Sequence, residues 1–424
     1  MLEGLDQFDW SRLSHAYGDA SDVPDLIRRL GAGSVETSRE ALHELFGNIW
    51  HQGTVYQATA VAVPFLLELV EDPATPDRSG ILDLLQSISD GWLIFQRYAV
   101  DDGKFVPPEI AARHARERPH YQAAHEAVAK GFDVLVRLLS DEDRAVRAGS
   151  AFVLATLTER SSDVATTLLD TIDDETDDWC RGALLLALLV LVQNAADPAI
   201  ADVAVRRFEL FLDEKDLPFA ALGAGIALLR LNRAAAVPRV LDMARPRLVE
   251  DMDIFVKVPW HETGELYSLM ARSLNGMPRQ RLRWIVEGLN HADQQVRSSA
   301  MYCGSEFCAE YRWGPAELAP YFAKLAGSAD AQERTMAIRR LRGLGARRVD
   351  HLQSFVKHPA AEVRAEATEQ LERVAKTKKE RESWLVERRP FLLPSVNSLI
   401  KQSIGINLPE NGMTSRRFAT RSFI

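Results

Sequence analysis

Between Phe132 and Leu157 the apolar positions fall into two helical stripes separated by a polar break. The first stripe runs through Phe132, Leu135, Leu138 and Leu139, and the second through Val146, Ser150, Val153, Leu154 and Leu157. Ser140 to Asp143 interrupt them, and Asp143 stands where a helix N-cap belongs. The pattern predicts a helix, a tight turn and an antiparallel partner helix. Such a pair cannot bury both of its faces, so it requires similar pairs stacked on either side.

The same two-stripe pattern recurs along the chain. Residues 1–20 read as an N-terminal cap, with Trp10, Leu13 and Tyr17 on one short amphipathic helix. Helix pairs follow at 23–30 with 38–49 and at 61–70 with 78–88, and Pro24 and Pro64 are expected in the first turns of their helices. Residues 89–130 break the pattern with Trp92, Phe95, Tyr98, Phe105, a Pro107-Pro108 pair and three histidines. This is an insertion, expected to leave one face of the array and to contribute to binding. Further pairs are predicted at 164–172 with 179–192, 199–212 with 217–231, and 237–249 with 263–274. The last three fall at 278–289 with 296–311, 317–326 with 333–344, and 349–356 with 362–374. About nine pairs over 21–375 result. Residues 376–424 form a helical extension and then, over 390–424, a loosely ordered tail.

An arginine near the start of the second helix, with a small residue three later, marks the repeats. Arg147/Ser150, Arg297/Ala300, Arg334/Ala337 and Arg364/Ala367 fit strictly, and Arg39, Arg78 and Arg181 loosely. Adjacent marks lie roughly 30 to 40 residues apart. The step from Arg78 to Arg147 holds the insertion, and the step from Arg181 to Arg297 hides two degenerate units. With Asp143-x-x-Val146-Arg147 and Asp293-x-x-Val296-Arg297, these turns resemble HEAT repeats of the armadillo-like solenoid class. The resemblance implies an all-α fold, a right-handed α-α superhelix with an Asp–Arg ladder along its turns. Arg147, Arg181, Arg297, Arg334 and Arg364 are then structural, and His291 and His358, standing where Asp141 stands, interrupt the ladder.

Composition narrows the partners. A net charge of −9 repels phosphate backbones, so nucleic acid is an unfavoured ligand. Cys180, Cys303 and Cys308 are too few for a disulfide framework and read as buried free thiols in a cytoplasmic protein. The start, MLEGLDQFDWSRL, has no basic segment followed by an apolar one, so no secretory signal is expected. The apolar run at 182–192 is about half a membrane span and reads as the buried centre of the stack.

Nothing matches a phosphate-binding glycine loop, a nucleophile elbow or a zinc HExxH, and no catalytic residue, metal site or cofactor is expected. His114, His120 and His125 do not share a helical face and read as solvated histidines. The loop with Trp50, His51, Gln52 and Tyr56 combines aromatic surface with hydrogen-bond donors and resembles loops of actinobacterial HEAT-repeat proteins. Trp92 and Tyr98 in the insertion, and Trp260 and His261 in a long linker, are further candidate contacts. The run Asp170 to Asp178 places six carboxylates in one turn; Asp173, Asp174, Glu175, Asp177 and Asp178 are the candidate docking residues for a basic partner.

The expected function is a non-enzymatic protein-binding scaffold whose second helices line a concave surface. Family analogy makes a bacterial immunity or regulatory protein, holding a basic toxin or enzyme, one concrete version. Two alternatives share such repeats. An alkylpurine DNA glycosylase would need a basic groove, and a bilin lyase or chaperone would need an apolar cleft.

Overall fold

A computed structural model describes residues 2–99, 108–249, 258, 265–343, 352–353, 355–357 and 361–388. The chain divides into two compact units, Met1–Glu310 and Tyr311–Ile424, where the sequence pattern suggests one array. Among the described residues, helices are the dominant structure, and two short hairpins make up the regular sheet.

The first unit opens on two 3-10 turns, Leu5–Gln7 and Trp10–Arg12, followed by a hairpin of β1 (Ser14–His15) and β2 (Gly18–Asp19). The amphipathic helix expected here does not form. Leu5 and Trp10 are buried, but Tyr17, expected on the same apolar stripe, is 70% exposed at the hairpin turn. Trp10 donates from Nε1 to the Leu5 carbonyl at 2.8 Å, and its ring and that of Phe8 pack on Phe65.

Helix pairs then follow: α1 (Val23–Gly31) with α2 (Val35–Asn48), α3 (Gln57–Glu71) with α4 (Arg78–Ala99). A single long helix, α5 (Pro108–Lys130), precedes the next pairs, α6 (Phe132–Leu138) with α7 (Arg144–Leu154) and α8 (Ser161–Asp174) with α9 (Asp178–Ala195). The unit ends with α10 (Pro198–Leu212) and α11 (Pro218–Arg230), α12 (Val237–Ala244) and α13 (Leu266–Ser273), and α14 (Pro278–Leu289) and α15 (Gln294–Glu310). Each first helix packs on its partner, and the second helices stack in the order α2, α4, α7, α9, α11, α13, α15. This is the arrangement that half-buried pairs demand.

Two boundaries differ from the sequence pattern. Helix α3 begins at Gln57, so Pro64 lies inside it and not in its first turn. The start is fixed earlier because the Tyr56 N–H donates to Thr59 Oγ1 at 2.9 Å, while Thr59 Oγ1 donates to the Ile49 carbonyl at 2.5 Å. Helix α4 runs to Ala99, and α5 packs against both α3 and α4. The described part of the insertion is therefore built into the stack, because Tyr121, Ala124, His125, Ala127 and Val128 are buried.

The second unit holds α16 (Gly314–Leu325), α17 (Ala331–Gly343) and α18 (Ala361–Arg388), with α17 packed on both others. Residues 389–424 lie outside the described residues.

The centre of the first unit is dry. Every residue of 182–192 in α9 and of 220–229 in α11 is buried. Helix α9 is long and apolar enough to cross a membrane, but that stretch is enclosed by protein. Gly182 and Gly223 let α9 and α11 approach closely: a Cβ on Gly223 would lie 2.6 Å from the Gly182 carbonyl oxygen. Among the described residues, the stretches 182–192 of α9 and 220–229 of α11 thus present no exposed side chain.

Candidate functional site

Four of the turns between paired helices share one local design. Asp141 Oδ1 accepts from the Asp143 N–H at 2.9 Å, and Glu175 Oε1 accepts from the Asp177 N–H at 2.9 Å. His291 Nδ1 does the same for the Asp293 N–H at 3.0 Å, and Ser328 Oγ for Asp330 at 3.2 Å. The next aspartate then caps the second helix. Asp143 accepts from Ala145, Asp177 from Cys180, Asp293 from Val296 and Asp330 from Glu333. The repeat arginine closes the loop from behind. Arg147, Arg297 and Arg334 each donate Nη1 to the carbonyls six and five residues earlier.

Among the described residues, two of the marking arginines also fork onto an acid of the following repeat, and Arg39 reaches Asp77 through a single 3.3 Å bond. Arg78 forks onto Asp141 at 3.1 and 2.6 Å, and Arg147 forks onto Glu175 at 2.7 and 3.0 Å. These are rungs of the expected acid–arginine ladder, bidentate and largely buried. Burial pushes the Glu175 carboxyl up, but the Arg147 fork and the Asp177 N–H outweigh it and hold it at about 2. Where His291 replaces the acid, its imidazole keeps the loop bond, so the turn survives without a carboxylate.

This design divides the six acids of 170–178 into two sets. Glu175 is 7% exposed and serves the ladder, which removes it from the docking candidates. Asp177 caps α9 and meets Arg144 at 3.3 Å. Asp178 accepts from the Phe219 and Ala220 N–H groups, both at 2.9 Å, and so caps α11 of the next pair. Asp173 is ion-paired with Arg207. Asp170 and Asp174 remain exposed, one turn apart on α8, in no hydrogen bond or ion pair among the described residues.

Asp170 and Asp174 border a groove of about 510 Å³ between the ends of α6 and α8. Val136 and Leu139 give it an apolar side, and Thr167 and Thr171 line it beside the acids. Both threonine hydroxyls donate to carbonyls one turn back in α8, so their hydrogens are taken, and the carboxylates are the charged acceptors of that wall. Asp141, Arg147 and Glu175 also line the groove, but their charges are matched within the ladder, Asp141 by Arg78. The groove lies on the first-helix side of the stack. Asp170 stood in the acidic run but not among the named candidates, and its spacing of four from Asp174 was the signal for it.

The aromatic candidates gather elsewhere. Trp50–His51 (β3) pairs with Thr54–Val55 (β4), and Gln52 (φ 50°) and Gly53 (φ 88°) turn the hairpin in the left-handed region. Trp50 donates from Nε1 to the Ser87 carbonyl at 3.1 Å, so its indole N–H is taken by the fold. His51 lies edge-on to Tyr17 at 5.5 Å, and Tyr56 is half-buried ahead of α3. Tyr121 of α5 donates to the Gly53 carbonyl at 2.9 Å, and stacks on Phe95, which stacks on Trp92. The hairpin and the insertion, separate in sequence, are therefore joined by the Tyr121 hydrogen bond. Tyr98 lies near the end of α4, and Trp260 and His261 lie outside the described residues.

The histidines of α5 are not all solvated. His125 is buried, with Nδ1 at 2.9 Å from Ser89 Oγ and Nε2 at 3.1 Å from Glu159 Oε2. This Ser–His–Glu chain has the partners of an activated nucleophile, but Ser89 is wholly buried and its Oγ also contacts Thr156 Oγ1 at 2.6 Å. No substrate can reach it, so it ties α4, α5 and the 158–160 turn together. Among the described residues, no group of three or more His, Cys, Asp or Glu side chains is placed to hold a metal ion. Cys180 and Cys303 are buried, and burial pushes the Cys303 thiol up to about 11.

The stacked pairs define an all-α helical-repeat protein. No family model matches the sequence, and no curated protein matches it. Among solved structures, an engineered protein is 17% identical, with 84% of this chain and 99% of that chain covered and a TM-score of 0.29. A second engineered protein is 15% identical over 84% and 97%, with a TM-score of 0.20. Human deoxyhypusine hydroxylase, solved with glycerol, is 13% identical over 68% and 97%, with a TM-score of 0.24.

Proposed function

We propose that the protein is a non-enzymatic HEAT-like scaffold that takes a basic segment of a partner protein in the groove between α6 and α8. The carrying observation is the pair Asp170 and Asp174, exposed and one turn apart on the groove wall, where the neighbouring acids are consumed by the fold. Arginine or lysine side chains entering there meet two carboxylates and lay their stems on Val136 and Leu139. The loop-cap-arginine design of the turns supports the HEAT-like reading of the repeats. Holding a basic toxin or enzyme, as an immunity or regulatory protein does, is a setting that suits this chemistry.

The test is calorimetric titration of the full chain with a synthetic arginine-rich peptide, wild type beside Asp170→Asn/Asp174→Asn. Binding that weakens roughly tenfold in the variant, and weakens as salt is raised, supports the reading. No binding, or equal binding by both proteins, ends it. Neutralising Asp177 and Asp178 instead would uncap α9 and α11 and confuse folding with binding.

A further inference from the structure

The buried chain from Glu159 through His125 to Ser89 continues beyond the serine. Ser89 Oγ lies 2.6 Å from Thr156 Oγ1, and Thr156 Oγ1 lies 2.7 Å from the Val153 carbonyl oxygen. At the other end, His125 Nδ1 is 2.9 Å from Ser89 Oγ and 3.3 Å from the Ser89 carbonyl oxygen, and Nε2 is 3.1 Å from Glu159 Oε2. Ser89 and Thr156 are wholly buried and His125 is 5% exposed, so each hydrogen in the chain needs an acceptor inside the protein. The links come from α4, α5, the end of α7 and the 158–160 turn.

Counting hydrogens gives two complete arrangements. An ionised Glu159 only accepts, so Nε2 carries a hydrogen in both. When the ring is neutral, Ser89 donates to Nδ1 and Thr156 donates to Ser89. When Nδ1 is protonated, it donates to Ser89, Ser89 donates to Thr156, and Thr156 donates to the Val153 carbonyl. The exchange swings two hydroxyl hydrogens and moves no heavy atom. The charged arrangement holds one bond more, sets a full positive charge against Glu159, and turns an N–H instead of a lone pair toward the Ser89 carbonyl. Burial opposes the charge, and the carboxylate offsets that cost. Burial likewise pushes the Glu159 carboxyl up, but the His125 bond and its own backbone N–H outweigh it and hold it below its ordinary range. The Glu159 side chain is 47% exposed, so a proton from water has a route to the ring.

We propose that His125 is a proton-operated latch that clamps α5 between α4 and the 158–160 turn while its ring is charged. Losing the proton reverses the hydroxyl chain, removes the ion pair and loosens α5, together with the β3–β4 hairpin that Tyr121 holds. The latch is closed while the ring keeps its second proton, and it opens as rising pH removes that proton. Histidine is the side chain that ordinarily changes charge between about pH 5 and 8. On the acid side the latch outlasts an ordinary glutamate, because Glu159 stays ionised further down. The other charges on α5 and the elements packed against it do not bond the ring. Arg160 pairs with Asp163, Glu126 accepts from Gln122, and Glu71 of α3 pairs with Arg137 of α6. Asp90 of α4 and Asp133 of α6 stand near in sequence, but the ring's bonds all go to Ser89 and Glu159. The latch is independent of the α6–α8 groove.

The experiment labels the histidine rings of the full chain with nitrogen-15 and follows His125 by NMR from about pH 5 to about pH 9. Its signal is identified by its loss in His125→Gln. The ring is expected to pass from hydrogens on both nitrogens to a hydrogen on Nε2 alone. Hydrogen exchange of the α5 amides, corrected for the intrinsic effect of pH, is expected to quicken roughly tenfold over the same step. Two variants separate a latch from a merely structural histidine. Glu159→Gln removes the opposing charge. Thr156→Val keeps the shape but removes the acceptor that Ser89 needs when Nδ1 is protonated. Each is expected to move the step to lower pH. The proposal is overturned by a ring that keeps one charge state throughout, or by a neutral form with its hydrogen on Nδ1. It is equally overturned by α5 exchange that does not follow the step, or by a step that either variant leaves in place.

Discussion

Asp170 and Asp174 lie within a few residues of Glu175, Asp177 and Asp178, yet the two sets meet different surroundings. The first pair sits on the solvent side of α8 beside a groove. The second set is drawn into the turn, where it bonds Arg147, starts α9 and starts α11. One acidic run therefore supplies both the mortar between repeats and a charged wall. The difference shows that charge density in a repeat protein is not by itself a docking surface. What decides is whether the neighbouring repeat brings an arginine or an uncapped helix end to the carboxylate.

The largest effect that breaks this contrast is loss of the Glu175 rung. Glu175→Ala leaves Arg147 largely buried beside an absent partner, and removing one member of a buried pair costs about 3–5 kcal/mol. Chemical denaturation followed by circular dichroism checks this. A cost below about 1 kcal/mol would mean that the rung is an ordinary surface pair. The acid dependence carries the same sign. Glu175 is held at about 2, below its ordinary 4.5, so its contribution is complete above about pH 4.5 and is lost as pH falls through about 2. In Glu175→Ala that part of the acid-side loss should vanish.

The fold was readable where it depends on local chemistry. Apolar spacing located the pairs, and Asp143 announced its cap. Arg147, Arg297 and Arg334 marked turns that the structure closes in the same way. Tertiary partners were not readable. Nothing local tells that Asp178 caps a helix some forty residues on, that Tyr121 reaches the Gly53 carbonyl, or that His125 is buried against Ser89. The Gln52-Gly53 pair, a short polar turn between Trp50-His51 and Thr54-Val55, was a hairpin signal that could have been used. At the groove, sequence supplied Asp174 and missed the division of labour among its neighbours. That division depends on Arg147, Arg144 and the N-terminus of α11, which come from other repeats.

Asp178 sharpens the contrast at an intermediate level. Its two oxygens take the N–H groups of Phe219 and Ala220, donors that open α11 and have no acceptor within that helix. Asp178→Ala should cost about 1–2 kcal/mol, the usual value of an N-cap, and expose amides of α11 to hydrogen exchange. Asp178→Asn keeps one acceptor and should recover part of the loss. Equal losses in both variants would assign the effect to charge at the helix end and not to the bonds.

The smallest effect on stability is the most telling. Asp170→Asn/Asp174→Asn removes two carboxylates that hold nothing among the described residues, so unfolding should shift by no more than about 0.5 kcal/mol. A slight gain is the expected sign. The two charges stand one turn apart on α8 and repel each other, and Asp174 lies in the helix's last turn, where the dipole disfavours an anion. On the proposed reading, these two acids serve a basic ligand and not the helix that carries them. The same double variant that loses the arginine-rich peptide should therefore unfold no more easily than wild type. If it unfolds more easily by 1 kcal/mol or more, Asp170 and Asp174 belong with Glu175 among the residues that build the stack.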